Sequence, residues 1–315
     1  MSEAKLKLRL GTRRSALAMW QAEHVRDLLE RHHRGMEVEL VPIVTSGDRL
    51  LSEPLARIGG KGLFLKEIET ALAAGEIDLA VHSAKDVPVT LPEGFVLAAW
   101  CSRADIRDAW VARDHLAPAD LPAGARVGTS SLRRVAQLRA LRPDLDIQPV
   151  RGNVGTRLDK LHGGEYAALV LACAGLDRLE LADVISARLE PDVMLPAAGQ
   201  GALAIECRQD DEATAAFLGA LDEPDVRACV LAERAVAGRL GADCTLPLAA
   251  SARIDGGALV LDALVGDPAS GELLRESGRG SDAEAVAAVV AEALQARGAQ
   301  ALIERAATYG EAPPA

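Results

Sequence analysis

Residues 6–10 (LKLRL) alternate apolar and basic side chains, the period-two pattern of a strand. From 15 to 32 the spacing lengthens, and Leu17, Trp20, Val25, Leu28 and Leu29 fall on one helical stripe. Residues 37–44 (EVELVPIV) read as the next strand. A glycine-rich stretch at 58–62 (IGGKG) precedes a helix from Leu63 to about Ala74, and strands are predicted near 77–82 and 95–100. A second series opens at 125–128 (ARVG) and continues as helix 130–142, strand 146–150, helix 153–162, strand 167–172 and a short helix at 174–180. Strand–helix alternation of this kind predicts parallel sheets with helices on both faces.

The pattern then changes. Strand-like 202–207 (ALAIEC) and helix 211–220 stand between the second region and a third, and are placed with the first domain. The third region has a helix over 224–240, alternating segments at 248–254, 258–265 and 272–279, and helices over 282–296 and 298–307. The expected divisions are 1–103 with 202–220, 104–201, and 221–315. The first two would be α/β domains joined by two chain crossings around a hinged cleft. The third would be a small α+β domain with a three-stranded sheet.

The two series open alike, with LRLGTRRSAL at 8–17 and RVGTSSLRR at 126–134. Each runs from a strand through Gly-Thr into a helix start rich in hydroxyls and arginine. Two ordinary helix caps would explain this, since Ser and Thr are favoured there. Two related domains, each with an anion site at a helix N-terminus, would explain it equally well.

Composition narrows the class. Of 315 residues, 49% are apolar and 26% charged, the balance of an ordinary globular protein, with apolar material for several cores. Aromatics make up only 3%, too few for the stacking platforms of single-stranded nucleic-acid binding. A net charge of −11 opposes nonspecific binding to polyanions. With no apolar run of membrane-spanning length and no apolar block at the N-terminus, a cytoplasmic protein without membrane or nucleic-acid partners is expected. The five cysteines include no CxxC pair, and no metal site is predicted.

Against that acidic background, 126–157 holds seven arginines, no lysine and two acids, Asp144 and Asp146. Arginine suits bidentate binding of carboxylate or phosphate. Its concentration at TSSLRR and RGNVGTR sets it beside backbone N–H groups and hydroxyls, the equipment for an oligo-anionic ligand. VHSAKDVP (81–88) leaves His82, Ser83, Lys85 and Asp86 at a strand's C-terminal edge, where open α/β sheets bind ligands, although the string by itself is explained better by a surface Lys–Asp pair. GGKG (59–62) is not a phosphate loop: position 55 is Leu, and Gly62 stands where Ser or Thr is required. It reads instead as a lid carrying Lys61. GQGALA (199–204) precedes a strand, the reverse of the dinucleotide-binding context. Cys244, in RLGADCTLPL, sits in a loop between a helix and a strand, is less suited to core filling than Cys173 or Cys207 in their apolar runs, and by itself marks only a candidate reactive thiol.

Taken in order, these strings resemble the porphobilinogen deaminase family: GTRRSALAMWQ (11–21), PLARIGGKGLFLKEIE (54–69), DLAVHSAKDVP (78–88), VGTSSLRR (127–134), RGNVGTRLDKL (151–161), LPAAGQGALAIECR (195–208) and the Cys244 loop. The resemblance implies two domains like the halves of a type II periplasmic binding protein, plus a small third domain, in a monomer. It implies a transferase that condenses four porphobilinogen molecules, releasing ammonia, into the linear tetrapyrrole hydroxymethylbilane. The product grows on a dipyrromethane cofactor joined by a thioether to Cys244. Asp86 matches the catalytic carboxylate, placed to stabilise cationic pyrrole nitrogen. Arg13, Ser15, Lys85, Thr129, Ser131, Arg133, Arg134, Arg151 and Arg157 match binders of the cofactor and substrate carboxylates. Lys61 matches the lid lysine, and Gln200 falls in the hinge segment. Three departures stand out: Arg57 replaces a common lysine, Ala242-Asp243 precedes Cys244 where Gly-Gly is usual, and Pro247-Leu248-Ala249 stands where Pro-x-Gly is common. The alternative is a two-lobed, non-catalytic anion- or solute-binding protein, which leaves the Cys244 loop unexplained.

Overall fold

The computed structural model describes residues 6–45, 65–241 and 246–309. The chain forms two compact units, one of residues 1–104 with 202–227, the other of 105–201 with 228–315.

In the first unit, β1 (Lys7–Arg13) lies between β2 (Glu37–Ile43) and β3 (Leu79–Ser83), paired in parallel with both. Helix α1 (Ala16–His32) makes the β1–β2 crossover and buries Ala22, Val25 and Leu29 against the sheet. Ser15 caps it, its hydroxyl accepting from the Ala18 N–H at 3.3 Å. Helix α2 (Lys66–Ala73) covers the other face with Ile68, Ala71 and Leu72. β4 (Phe95–Trp100) does not pair with β3. Between them lies β10 (Leu203–Arg208), antiparallel to both, giving the order β2-β1-β3-β10-β4.

The second unit contains a sheet of the same topology. β6 (Arg126–Gly128) pairs in parallel with β7 (Asp146–Gln148) and β8 (Ala168–Ala172). β5 (Asp108–Ala112) runs antiparallel beside β8, followed by β9 (Ala187–Leu189), in the order β7-β6-β8-β5-β9. Helices α3 (Leu132–Leu141), α4 (Val154–His162) and α5 (Cys173–Arg178) complete this layer. The expectation of parallel sheets is thus corrected: both are mixed. β5 and β10 do not come from strand–helix–strand crossovers, and an antiparallel neighbour needs none. The two Gly-Thr strings end β1 and β6, which hold the same place in their sheets.

After helix α6 (Glu212–Leu218), capped by Asp211, the chain enters α7 (Pro224–Arg239). An antiparallel sheet follows, of β11 (Leu248–Asp255), β12 (Ala258–Gly266) and β13 (Leu273–Gly280). Helices α8 (Ala283–Ala296) and α9 (Ala299–Ala307) share its core, where Val286, Val290, Leu294 and Leu302 meet Leu261, Ala263, Ala232 and Val236. This sheet belongs to the same compact unit as the β5–β9 sheet. Among the described residues no single helix is long and apolar enough to cross a membrane.

The β12–β13 turn lies against α3. Gly271 has φ +77, and a Cβ there would meet the backbone nitrogen of Ala140 at 2.8 Å and the Arg139 carbonyl carbon at 2.9 Å. Neither backbone atom can yield cheaply, and the left-handed conformation alone costs a non-glycine residue about 1–3 kcal/mol. Gly271→Ala is expected to lower stability by at least that amount in denaturant unfolding, with the far-ultraviolet signal of the folded state unchanged.

Candidate active site

The C-terminal ends of β1 and β3 meet at a cavity of about 90 Å³. Arg13 and Ser15 enter from the end of β1 and the cap of α1, Gln21 from the first turns of α1, and His82, Ser83 and Asp86 from β3 and the turn after it. Ligands of open α/β sheets bind at this edge of the parallel strands. Asp86 is exposed at the end of a single 3₁₀ turn, Ala84–Asp86, with half-buried Lys85 beside it. Gln21 Nε2 donates to Ser83 Oγ at 2.8 Å and fixes that hydroxyl in the cavity wall. Behind the wall, His82 Nε2 donates to Glu206 Oε2 at 2.8 Å, both side chains buried.

The arginine-rich set in the second unit divides in two. Arg133 and Arg134 begin α3 but turn inward. Arg133 Nη1 donates to Asp108 Oδ2 and to the Leu195 carbonyl, both at 2.7 Å. Arg134 donates to Asp108 Oδ1 at 2.7 Å and to the Val170 carbonyl at 2.8 Å. Gln200, fully buried, adds Nε2 bonds to Asp108 Oδ1 at 2.9 Å and to the Ile106 carbonyl at 2.7 Å. The structure therefore brings Arg133, Arg134 and Gln200 together around a carboxylate of the chain itself, not at an open surface.

Arg151 differs. It is half-buried with no hydrogen bond or ion pair among the described residues, and burial lowers its pKa. Arg157, on the first turn of α4, donates through Nε to the Gly152 carbonyl at 2.8 Å, and Asn153 caps the helix. Thr129 is buried and accepts from the Ser131 N–H at 3.2 Å. Ser131 stands at the N-cap of α3 without a side-chain capping bond. The first Gly-Thr string thus leads into a capped helix, and the second leaves its helix start uncapped.

Cys244 and Lys61 lie outside the described residues. The other four cysteines, Cys101, Cys173, Cys207 and Cys229, are buried. Burial, with the charge of Asp105 next, pushes the Cys173 thiol up to about 12. Burial, with Asp211 next, takes the Cys207 thiol to about 11. Neither can supply thiolate near neutral pH. Among the described residues no group of three or more His, Cys, Asp or Glu could hold a metal ion.

Sequence reasoning passed over Gln21, Asp108 and Glu206. The last two had a readable signal, since each is a lone acid in an apolar strand (DAWVA and LAIEC). A charge in such a run is buried and must be paired.

Residues 8–216 match the family described as "Porphobilinogen deaminase, dipyromethane cofactor binding domain", and 227–296 match "Porphobilinogen deaminase, C-terminal domain". These matches define a cofactor-bearing transferase of tetrapyrrole synthesis. A porphobilinogen deaminase of Xanthomonas axonopodis pv. citri (strain 306) is 53% identical over 298 residues, 94% of this chain and 98% of that protein. The chain belongs to the porphobilinogen deaminase family, and its cofactor is a dipyrromethane. Among solved structures, a TRAP periplasmic solute binding protein from Desulfovibrio salexigens aligns at a TM-score of 0.42 and 14% identity, covering 70% of this chain and 73% of that one. The aliphatic sulphonate binding protein SsuA from Escherichia coli aligns at 0.39 and 19%, covering 74% and 69%.

Asp108 generates a prediction about acid stability. Burial alone would push its carboxyl up, but the charges and hydrogen bonds of Arg133 and Arg134 outweigh burial and hold it well below the usual carboxylate range. A carboxyl depressed on folding contributes stability that is complete above its unfolded value of about 4 and lost as pH falls through the folded value. Asp108→Asn leaves two buried guanidiniums without their counter-charge, at a cost of about 3–5 kcal/mol. Urea unfolding at pH 7 should show that loss. The gap from the parent should narrow as pH is lowered below about 4, where the parent loses the same contribution.

Proposed function

We propose that Asp86 is the carboxylate that stabilises positive charge on pyrrole nitrogen during each addition, and that Cys244 tethers the dipyrromethane. The overall reaction is the family's: four porphobilinogen molecules condense, with loss of ammonia, to hydroxymethylbilane, as in a hydroxymethylbilane synthase. The observation that carries the reading is the cavity at the ends of β1 and β3, where Asp86 stands with Arg13, Ser15 and Gln21. An acid at the exposed end of a short turn can face a ligand while its backbone is held by the sheet. A fixed carboxylate there stabilises a developing cation without reorganising in the transition state.

The residues present suit a cofactor carrying several carboxylates. Arg151, half-buried and without an anionic partner among the described residues, is the kind of cation a ligand carboxylate would satisfy. Thr129 and Ser131 offer hydroxyls at an uncapped helix start. Arg13, Lys85 and Arg157 add positive charge, as does Lys61, outside the described residues, by its match to the family's lysine. The bound dipyrromethane supplies the pyrrole end from which the product chain grows. We propose that Arg133, Arg134 and Gln200 serve this site through Asp108, holding the start of α3 and the loop before β10. The first unit, the β5–β9 layer and the β11–β13 layer would be the family's three domains, in a cytoplasmic monomer acting on porphobilinogen without nucleic acid or membrane.

The tether has a direct test. Purified protein should exceed its chain mass by two pyrrole units, and Cys244→Ser should remove the increment. The buried positions of Cys101, Cys173, Cys207 and Cys229 support Cys244 as the attachment point. An active wild-type protein at bare chain mass would refute it.

For Asp86, the measure is single-turnover formation of each enzyme-bound intermediate by protein already loaded with cofactor. Asp86→Asn removes charge but keeps size, and should slow all four additions by about 10²–10³-fold. Asp86→Glu should retain more activity than Asn. Near-normal rates in the Asn variant would assign the carboxylate's task elsewhere.

A further inference from the structure

Glu206 is fully buried, yet only one of its carboxylate oxygens is paired. Oε2 accepts from His82, while Oε1 is buried with no protein hydrogen-bond partner. A half-satisfied buried carboxylate is costly, and an apolar residue would fill a strand in a sheet core at less expense. The place of the pair offers a reason for that cost.

His82 and Glu206 lie on neighbouring antiparallel strands, where His82 is opposite Ala204 and Ala80 is opposite Glu206. The two side chains meet diagonally on the face covered by α2. His82 also lines the cavity that holds Asp86 and stands four residues before it. Between them runs one 3₁₀ turn. Its tie to β10 is the Ala84 N–H donating to the Ala202 carbonyl at 3.1 Å. The His82–Glu206 bond supplies a second, shorter tie from the same strand. Other ionisable groups face the pair: Glu69 from α2, and Arg13 and Asp86 across the cavity. The Glu69 carboxyl is pushed up first by burial and then by the charge of Glu206, with His82 opposing.

We infer that His82, held by Glu206, is a positioning residue for the reaction: the pair fixes the end of β3 so that the turn delivers Asp86 to the cavity. The inference rests on the reading of Asp86 given above. A directional hydrogen bond sets the strand end along and across the sheet, whereas an apolar contact would let it slide. Misplacement by about 1 Å far from the reacting atoms can cost 10²-fold in rate.

The discriminating variant replaces both partners, His82→Leu with Glu206→Leu, because removing one alone strands a buried charge while replacing both with apolar groups is often neutral for stability. Loading with cofactor is verified by intact mass, and the melting temperature, kcat and KM for porphobilinogen are measured. A positioning pair predicts loaded, stable protein with kcat lowered at least about tenfold and KM within about twofold. His82→Gln, whose amide can still donate to Glu206, should recover most of the loss. Wild-type kcat in the double variant would reduce the pair to a structural contact and overturn the inference, as would a raised KM with kcat unchanged. Should the double variant fail to accumulate as loaded protein, Glu206→Met decides by the same criteria, since it removes the anchor and keeps the imidazole. Asp86→Asn is run alongside: normal kcat in that variant would show that the reading of Asp86 had failed, and not the tie alone.

Discussion

The antiparallel insertion of β10 between β3 and β4 is the pairing on which the first unit depends. Without it β3 would be an edge strand, β4 would have no neighbour in the sheet, and the turn carrying Asp86 would hang from an unpaired end. β10 also delivers Glu206, whose buried carboxylate depends on the hydrogen bond from His82, diagonally placed on β3. The same strand continues into Arg208, which donates to the Leu72 and Ile77 carbonyls near 3 Å and pairs with Asp211 at 2.6 Å, closing the C-terminal end of α2 onto the sheet. One strand thus ties together the sheet, the helix over it and the turn at its edge.

The second unit solves the same topological problem with a different charge. There β5 is the antiparallel insert, and its first residue, Asp108, collects two guanidiniums and an amide. The sheets are alike in strand order, but in one the buried acid accepts a hydrogen bond from an imidazole and in the other it pairs with two guanidiniums. With Arg133 and Arg134 turned inward, Arg151 and Arg157, on the loop and helix start beyond β7, are half-buried.

Much of this was legible in the chain. The period change after residue 14 marks α1 because core-facing positions recur along one stripe, and Ser15 marks its start because a hydroxyl can satisfy an orphan amide. The repeated Gly-Thr strings suited two related domains as well as two ordinary helix caps, and the structure puts them at corresponding strands of two sheets. Local pattern could not show pairing order: a strand such as LAIEC carries no mark of which neighbours it joins or in which direction. β5 and β9 escaped because one is five residues long and follows a charged run, and the other is three residues long. The inward turn of Arg133 and Arg134 was hidden for a related reason, since a tandem of arginines at a helix start reads as an exposed anion site until the lone acid of a distant strand is placed beneath it.

The wide sequence separation of His82 and Glu206, 124 positions, also bears on how the chain acquires its shape during synthesis. A ribosome delivers β1, β2, β3 and β4 long before β10 exists, and all of the 105–201 segment emerges in between. Until then the first sheet has a gap where β10 belongs, bordered by unpaired backbone able to capture a foreign strand. Closing a loop of this length costs entropy before any of its contacts repay it. The turn that bears Asp86 therefore gains its β10 partner only after the whole of the 105–201 segment has been synthesised.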